Sequence, residues 1–400
     1  MALAGLRQPP RRRRAQRHPG GRARPPARLH GGRHPVNGPE VLKFGGSTFR
    51  THAAYEELAA GLEERVRRGG RPTAVVVSAM QGETEGLRGR LHEVNPRPED
   101  ATSAGMLATG DLLSAHLLAA ALHRRGRTAT VLAGHQLGLT TDNSYLWARV
   151  VRTDPAPLRR ALAEHEVVVV PGGQAVDAEG RPTWLGKNSS DLSALAVARA
   201  VGSGVCEIHS DVDGIYTSDP HLIAGARILP RVSYNMAALM SLYGAKVLHR
   251  RAVQLALRHR IEIVLRYNRA PFSAGTTISA EGTQMSAVVF NQRSVVLGYP
   301  DDARADAAHN AFHGAGIDTV RLTGRPGVAV VGGYVDVEAV QRRAGVEPGR
   351  EMGVPVAEVR GSKVTMHLAE SGEDALHLAQ RLHDGMDFPQ PRDAVALAGV

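Results

Sequence analysis

The chain contains little cysteine, since Cys206 is the only one among its 400 residues. A single thiol excludes an internal disulfide and any metal centre built from several cysteines. The length corresponds to two or three domains and is sufficient for a hydrophobic core without such crosslinks. We therefore expect a globular protein of a reducing compartment, and a cytoplasmic location.

Long apolar runs are also missing, because no uninterrupted run reaches the roughly 18 residues that cross a membrane; no membrane association is predicted. The net charge of +10 has its origin in residues 1–37, which hold ten of the 49 basic residues and none of the 39 acidic ones. This Arg/Pro/Gly-rich stretch has no aromatic residue and no helical period. We predict a disordered tail over residues 1–37. Nucleic acid is not an expected partner, although binding of a polyanion by the arginines is the alternative.

Several common fingerprints are absent from the sequence. There is no G-x-x-x-x-G-K-[ST] P-loop and no G-x-G-x-x-G dinucleotide motif, which removes support for the usual NTPase and dehydrogenase classes. H-E-x-x-H and G-x-S-x-G are missing as well. The aspartate-rich stretch HSDVDGIYTSDPH lacks the EF-hand spacing, so it predicts a turn-rich loop rather than a calcium site.

Lysine is scarce, because only four of the 49 basic residues are lysines: Lys43, Lys187, Lys246 and Lys363. A compact ammonium group is not interchangeable with a planar guanidinium, so lysine in an arginine-rich chain needs a reason. Three of the four occur in motifs that combine glycine with polar residues, namely KFGGST, LGKNSSD and LYGAKVLH. Positive charges and backbone N–H groups around a moving group are what phosphoryl transfer requires.

Apolar strands alternate with helices from residue 40 to about residue 267, as in EVLKF, AAYEELAAGLEERVRR and TAVVV. This alternation predicts an α/β fold with a mainly parallel sheet covered by helices on both faces. Beyond about residue 286 short strands and short helices interleave, which predicts a separate α+β unit. We therefore expect domains over residues 38–285 and 286–400.

The glycine turn after the first predicted strand is the leading candidate for a phosphate site. Ligands of parallel α/β sheets bind beyond the carboxyl ends of the strands. There Gly45 and Gly46 would let the backbone approach a phosphate, and Ser47 could cap a helix or donate to the ligand. Lys43 adds a positive charge beside them. An ordinary turn is the alternative, because paired glycines are common.

Six motifs occur in an order that resembles the aspartokinases of the amino-acid kinase superfamily: VLKFGGST, VVVSAMQGET, LATGDLLSA, LGKNSSD, CEIHSDVDGIYTSDP and GAKVLH. The similarity covers about residues 40–279. It implies a three-layer αβα amino-acid kinase fold. The implied activity is transfer of the γ-phosphoryl group of ATP, with Mg²⁺, to the side-chain carboxylate of L-aspartate, giving 4-phospho-aspartate. The C-terminal unit resembles a divergent ACT-like domain, which implies regulation or assembly and a homodimer or higher oligomer.

The resemblance also implies roles for individual residues. Lys43 would contact the transferring phosphoryl group, Asp191 would orient Lys43, and Lys246 would add charge at the phosphates. The implied nucleotide-binding positions are Gly45, Gly46, Ser47, Ser210, Asp211, Tyr216 and His221. The implied acceptor positions are Ser78, Thr84, Asp111, Gly173, Lys187 and Ser190. Mg²⁺ would bridge phosphate oxygens largely through water, so no protein metal ligand is expected.

Three acceptor positions depart from the family pattern. Asp111 replaces the usual glutamate, Lys187 the usual arginine and Gly173 the usual phenylalanine. Each change shortens a side chain, which suggests a wider pocket and, as an alternative to aspartate, a larger or modified aspartate-like acceptor in a specialised pathway. A second alternative is a catalytically weak paralogue that acts by binding or assembly. Acceptor preference separates the two kinases, and nucleotide binding without turnover would indicate the paralogue.

Overall fold

The computed structural model describes residues 38–245, 248–282, 285–331 and 336–388. The tail predicted to be disordered, residues 1–37, lies outside the described residues. Within residues 40–279 the strands are β1 (Glu40–Phe44), β2 (Thr73–Val77), β3 (Ala129–Val131), β4 (Leu139–Thr141), β5 (Val150–Thr153), β6 (Val167–Pro171), β7 (Gln174–Val176), β8 (Pro182–Trp184), β9 (Val205–Ser210), β10 (Arg231–Ser233), β11 (Glu262–Tyr267) and β12 (Ala274–Ser279). The helices are α1 (Ala53–Gly69), α2 (Glu83–Val94), α3 (Asp100–Arg124), α4 (Ala156–Glu164), α5 (Ser190–Val201), α6 (Tyr234–Leu242) and α7 (Arg250–His259).

The central sheet has eight strands in the order β10-β12-β11-β9-β1-β2-β6-β3. Neighbouring strands are parallel except β11 and β12, which pair antiparallel. A smaller sheet, β5-β4-β7-β8, belongs to the same part of the chain. The predicted mainly parallel sheet is therefore confirmed.

The central strands alternate their side chains between two hydrophobic clusters, one on each face of the sheet. Val76 belongs to the cluster that contains α5 and α7 residues, whereas Val75 and Val77 belong to the cluster that contains α1 and α3 residues. Full burial of such side chains contributes roughly 1.5–3 kcal/mol each. Because both faces are covered, the fold is the three-layer αβα sandwich that the family resemblance implies.

Helix α3 is long and apolar enough to cross a membrane when judged by length and composition alone. In the structure it packs against the sheet and α1, and Ala115, Leu118 and Leu122 are buried in that interface. It also carries the buried carboxylate Asp111 towards the carboxyl edge of the sheet. The length and hydropathy of α3 are therefore those of a core helix.

In the described residues 286–331 and 336–388 the chain forms an antiparallel sheet with three helices. The strands are β13 (Ser286–Phe290), β14 (Val295–Gly298), β15 (Thr319–Arg321), β16 (Gly327–Val330), β17 (Arg350–Arg360) and β18 (Lys363–Ala369). The helices are α8 (Asp302–Gly314), α9 (Val337–Ala344) and α10 (Gly372–Asp384). The sheet order is β13-β17-β14-β16-β15, with β18 on β17. This antiparallel α+β arrangement agrees with an ACT-like unit, and a domain boundary between residues 285 and 286 stays a prediction.

Helix α10 packs against the loop that follows β9. The His383 ring nitrogen Nε2 lies 2.8 Å from Thr217 Oγ1, and both residues are buried. The side chain of Gln380 accepts from the backbone N–H of Ala224 at 2.9 Å and donates to its carbonyl at 3.2 Å. The C-terminal helix therefore holds a loop of the parallel-sheet part in place.

Candidate active site

Five polar turn segments meet at the carboxyl edge of the central sheet. The parallel register aligns Phe44 of β1 with Val77 of β2 and with His209 of β9. The same register aligns Val77 with Pro171 of β6. Because these strands end together, the turns after β1, β2, β6, β9 and β11 lie side by side, as expected for a ligand site of a parallel sheet.

Lys43 and Asp191 form a buried ion pair at this edge. Lys43 Nζ lies 2.8 Å from Asp191 Oδ1, and each side chain is about 10 % exposed. Asp191 lies in the first turn of α5, where a carboxylate is favoured by the helix dipole. Its second oxygen, Oδ2, accepts a hydrogen bond from the backbone N–H of His249 at 3.2 Å. The lysine is thus held in one position with its charge close to the glycine turn.

Close approach leaves little room for a side chain in the glycine turn. A Cβ atom at Gly46 would lie 2.9 Å from the carbonyl oxygen of Ala79, and one at Gly45 would lie 3.2 Å from Lys43 Nζ. The backbone N–H of Gly45 donates to the His209 carbonyl at 3.3 Å. The structure therefore uses the Gly45 amide to join β1 to β9, at a position where the sequence interpretation brings the backbone close to a phosphate.

The turn after β2 connects the glycine turn to three predicted acceptor positions. Ala79, whose carbonyl oxygen leaves no room for a Cβ atom at Gly46, donates its backbone N–H to Asp111 Oδ1 at 2.9 Å. Ser78 Oγ donates to Ser190 Oγ at 2.8 Å. The structure thus brings Ser78, Asp111 and Ser190 together beside Lys43.

Burial controls the acidity of Asp111. Removal from water disfavours its charged form and raises the pKa of this carboxyl group to about 7, and the positive charge of Lys43 acts in the opposite direction. Asp111 therefore changes its charge close to neutral pH. A ligand ammonium group at this position would favour the carboxylate.

Lys187 lies on a loop that faces α2. Its Nζ donates to Glu85 Oε1 at 2.8 Å, and this hydrogen bond lowers the pKa of the Glu85 carboxyl group. Thr84 is the preceding residue of α2 and is half-buried. Sequence reasoning placed Thr84 and Lys187 on the acceptor side but did not find Glu85.

The space beside Gly173 is filled. Gly173 adopts φ +68°, where a side chain would be strained. A Cβ atom there would also lie 3.1 Å from Ser189 Oγ and 3.3 Å from Trp184 Nε1. The missing phenylalanine therefore leaves no opening at this position, because the indole of Trp184 and the Ser189 hydroxyl occupy the adjacent volume.

The predicted nucleotide-binding residues do not form one contact network. Ser210 Oγ donates to Asp211 Oδ1 at 3.1 Å beside the glycine turn. Tyr216 instead donates to Asp213 Oδ1 at 2.9 Å, and His221 is exposed in a turn. Among the described residues, no hydrogen bond joins Tyr216 or His221 to the glycine turn. Lys246, the third predicted catalytic residue, lies outside the described residues.

Asn268 is a buried site residue that sequence reasoning missed. It directly follows β11, and its side-chain Nδ2 donates to Ser47 Oγ at 3.1 Å and to Thr48 Oγ1 at 3.2 Å. The available signal was its position at the carboxyl end of a predicted parallel strand. The stretch RYNRAP contains no glycine, so its sequence does not indicate a ligand-binding turn.

The comparison with known families agrees with this fold. The model of the amino acid kinase family matches residues 40–267, more than half of the chain, and the chain belongs to this family.

Within the family, curated relatives that resemble this chain include aspartokinases. The aspartokinase of Thermus thermophilus is 36 % identical over 253 residues, covering 62 % of this chain and 61 % of the relative. Aspartate kinase Ask_LysC of Stutzerimonas stutzeri is 33 % identical over 269 residues, covering 65 % of each. The chain thus spans less than two thirds of the length of these relatives. The predicted resemblance to aspartokinases is confirmed.

Solved structures support the fold across both parts of the chain. The structure of E. coli aspartokinase III in complex with aspartate and ADP has a TM-score of 0.66 at 20 % identity, covering 86 % of this chain and 99 % of that one. The aspartate kinase of Synechocystis has a TM-score of 0.54 at 27 % identity, covering 80 % of this chain and 60 % of that one. The first similarity, at its low identity, concerns the fold alone.

Proposed function

We propose that this chain transfers the γ-phosphoryl group of ATP to the side-chain carboxylate of L-aspartate, giving 4-phospho-aspartate. The observation that carries the proposal is the buried Lys43–Asp191 ion pair, which lies between the glycine turn and the Ser78–Asp111–Ser190 group. A phosphate-side cation therefore lies beside a carboxylate suited to an amino group. The aspartokinase relatives support the same acceptor.

The chemistry needs few groups from the protein. The attacking carboxylate of aspartate is already ionised at neutral pH, so no general base is required. Phosphoryl transfer is promoted mainly by position and by charge stabilisation. Lys43 would supply the charge at the transferring group, and Asp191, itself held by the His249 N–H, would keep the ammonium in place.

Magnesium fits this site as an ion bound to the nucleotide. Among the described residues, no group of three or more histidine, cysteine, aspartate or glutamate side chains is arranged to hold a metal ion. The exposed carboxylate of Asp211, beside the glycine turn, offers the hard oxygen that Mg²⁺ prefers and could reach the ion through water. When bound, the ion would neutralise charge on the phosphate oxygens.

The acceptor side offers one group for each end of the amino acid. The Asp111 carboxylate would bind the ammonium group, and Lys187 would bind the α-carboxylate in place of its ion pair with Glu85. Position 173 gives no support for an enlarged pocket, because Trp184 and Ser189 fill that space. Aspartate is therefore the acceptor we propose.

The test is acyl phosphate formation by the full chain, trapped with hydroxylamine as the hydroxamate. The acceptors are L-aspartate, L-glutamate, N-acetyl-aspartate and aspartate β-methyl ester, each with ATP and Mg²⁺. We expect ATP-dependent product with aspartate and no ATP-dependent product with the ester, whose side-chain carboxylate is blocked. Turnover of a larger acceptor in preference to aspartate would contradict the proposal, and so would ATP binding without any product.

We predict that Lys187→Met raises the KM for aspartate about 10- to 100-fold, because a charge-assisted contact to the α-carboxylate is lost. The KM for ATP should change less than about threefold. Steady-state kinetics with each substrate varied in turn measures both values. Glu85→Gln is the matched control, because it removes the carboxylate that pairs with Lys187 but keeps the ammonium group of Lys187. An unchanged aspartate KM in Lys187→Met would remove Lys187 from the acceptor site.

We also propose a cytoplasmic location and assembly into a homodimer or higher oligomer, with a kinase domain up to residue 285 and an ACT-like domain after it. The antiparallel C-terminal sheet supports the ACT-like assignment. Light scattering of the purified full chain measures the assembly, and a monomeric mass would contradict it.

A further inference from the structure

Asn268 joins the end of β9 to the glycine turn that follows β1. Its backbone N–H donates to the Ser210 carbonyl at 2.8 Å, which fixes it beside the end of β9. From there its side chain passes the end of β9 and reaches the turn after β1, where Nδ2 contacts the hydroxyls of Ser47 and Thr48. Asn268 thus connects the ends of three neighbouring strands.

The direction of these hydrogen bonds determines what the hydroxyls can do. An amide nitrogen carries two hydrogens, so Nδ2 can donate to both oxygens. A hydroxyl that accepts a hydrogen bond keeps its own hydrogen for another acceptor. With Asn268 as donor, Ser47 and Thr48 both retain a hydrogen for a ligand, in the turn that also holds Lys43.

Stability alone does not explain an asparagine at this position. The residue is 5 % exposed, and within the described residues its Oδ1 is buried without a hydrogen-bond partner. A buried polar atom without a partner destabilises the folded state, so an apolar residue of similar size would serve the core better. The amide therefore needs another reason to be present.

Closing the loop after β11 does not require the amide side chain. Arg266 Nη1 donates to the Phe272 carbonyl at 3.0 Å and spans the loop. The hydrogen bond of Asn268 to Ser210 uses its backbone only. The contacts that depend on the Asn268 side chain are those to Ser47 and Thr48.

We propose that Asn268 is a positioning residue for the phosphates of ATP: it orients the Ser47 and Thr48 hydroxyls so that both donate their hydrogens to phosphate oxygens. The inference rests on the proposed function for the identity of the nucleotide. It predicts that the Asn268 side chain affects nucleotide affinity only through the two hydroxyls.

The first test measures affinity for the non-hydrolysable ATP analogue AMP-PNP, with Mg²⁺, by titration calorimetry on the full chain. Asn268→Leu should weaken binding about tenfold, the effect expected from losing an orienting hydrogen bond. In kinetics the KM for ATP should rise by a similar factor, while the KM for aspartate stays within about twofold. Asn268→Ser, which keeps a hydroxyl donor at this position, should recover part of the affinity.

The matched control is Gln341→Leu. Gln341 is also a buried amide, 2 % exposed, but it donates to Tyr299 OH in the C-terminal part. If Asn268 were only structural, both variants would lower the melting temperature and neither would change the AMP-PNP affinity of the folded protein. That result would overturn the proposal.

A double-mutant cycle tests whether Asn268 acts through the hydroxyls. Ser47→Ala with Thr48→Val should weaken AMP-PNP binding in the wild-type background, but change it less than about twofold once Asn268 is leucine. Additive losses would overturn the proposal. If the wild type binds AMP-PNP but forms no acyl phosphate, the proposed function fails while the cycle still decides the role of Asn268. A wild type that does not bind AMP-PNP contradicts both.

Discussion

Replacing Lys43 with methionine is expected to lower kcat for aspartate phosphorylation about a thousandfold, while the protein remains folded. The substitution removes the positive charge that would stabilise the transferring phosphoryl group. It also leaves Asp191 as an unpaired buried carboxylate at the phosphate edge, where it would repel the nucleotide. Hydroxamate formation under saturating ATP and aspartate measures the loss.

The chain offers a close control in Lys363→Met, because Lys363 is an exposed lysine on β18 and should tolerate the change. Lys43→Met combined with Asp191→Asn removes the unpaired charge. We expect this double variant to regain thermal stability without regaining activity. Recovery of more than a tenth of wild-type kcat in either Lys43 variant would show that the ammonium does not take part in transfer.

The second large effect is a pH dependence of aspartate binding that originates in Asp111. Burial raises the pKa of this carboxyl group to about 7, so its ionised fraction increases about tenfold between pH 6 and pH 8. Because the ionised form would bind the substrate ammonium, the KM for aspartate should fall by about the same factor over this range. Asp111→Asn should raise the KM about 100-fold and remove the pH dependence.

The same shift has a consequence of defined sign for stability. Between its ordinary value of 3.8 and about 7, Asp111 binds more protons in the folded than in the unfolded state. Its contribution to the free energy of unfolding therefore falls as pH rises through this window. Asp111→Asn should flatten that part of the stability curve. Asp100→Asn, on the same helix but at its partly exposed start, where it pairs with Arg343, is the control and should leave the dependence of the aspartate KM on pH unchanged. If the KM for aspartate still falls between pH 6 and pH 8 in Asp111→Asn, the titration belongs to another group.

The sequence predicted the parallel layers well, because their strands are continuous apolar runs such as VVVV in β6, and helix α1 repeats apolar residues at Leu58, Leu62 and Val66. Helix α2 was missed. Its sequence ETEGLRGRLHEV contains two glycines and a single buried residue, Leu87, so it shows little helical periodicity. The short strands β4, β5, β7 and β8 were missed for a related reason, since three or four residues are too few to display a period.

The site could be predicted where one residue type determines the chemistry. Lys43 stands out in an arginine-rich chain, and the motif order supplied Asp191 as its partner. Gly173 shows the limit of such reasoning. A missing side chain suggested space, but whether space exists depends on Trp184, which the β7–β8 hairpin brings against the glycine from eleven residues away. Asn268 lies outside the six family motifs. Its role could not be predicted because it depends on contacts with residues more than 200 positions earlier in the chain.

The contact between α10 and the loop after β9 constrains the order of events during synthesis. Thr217 and His383 are 166 residues apart in the chain. At the usual 5–20 residues per second, a ribosome needs roughly 10–30 seconds to add that segment. The last strand of the central sheet, β12, ends at Ser279, 104 residues before His383. The nascent chain therefore carries a completed parallel sheet with an unclamped loop for roughly 5–20 seconds of that interval. Ile223 lies in this loop and belongs to the hydrophobic cluster that includes Ala375 and Ala379 of α10. Before α10 is synthesised, Ile223 has no apolar cover from that helix, and this makes the loop a target for chaperones on the growing chain.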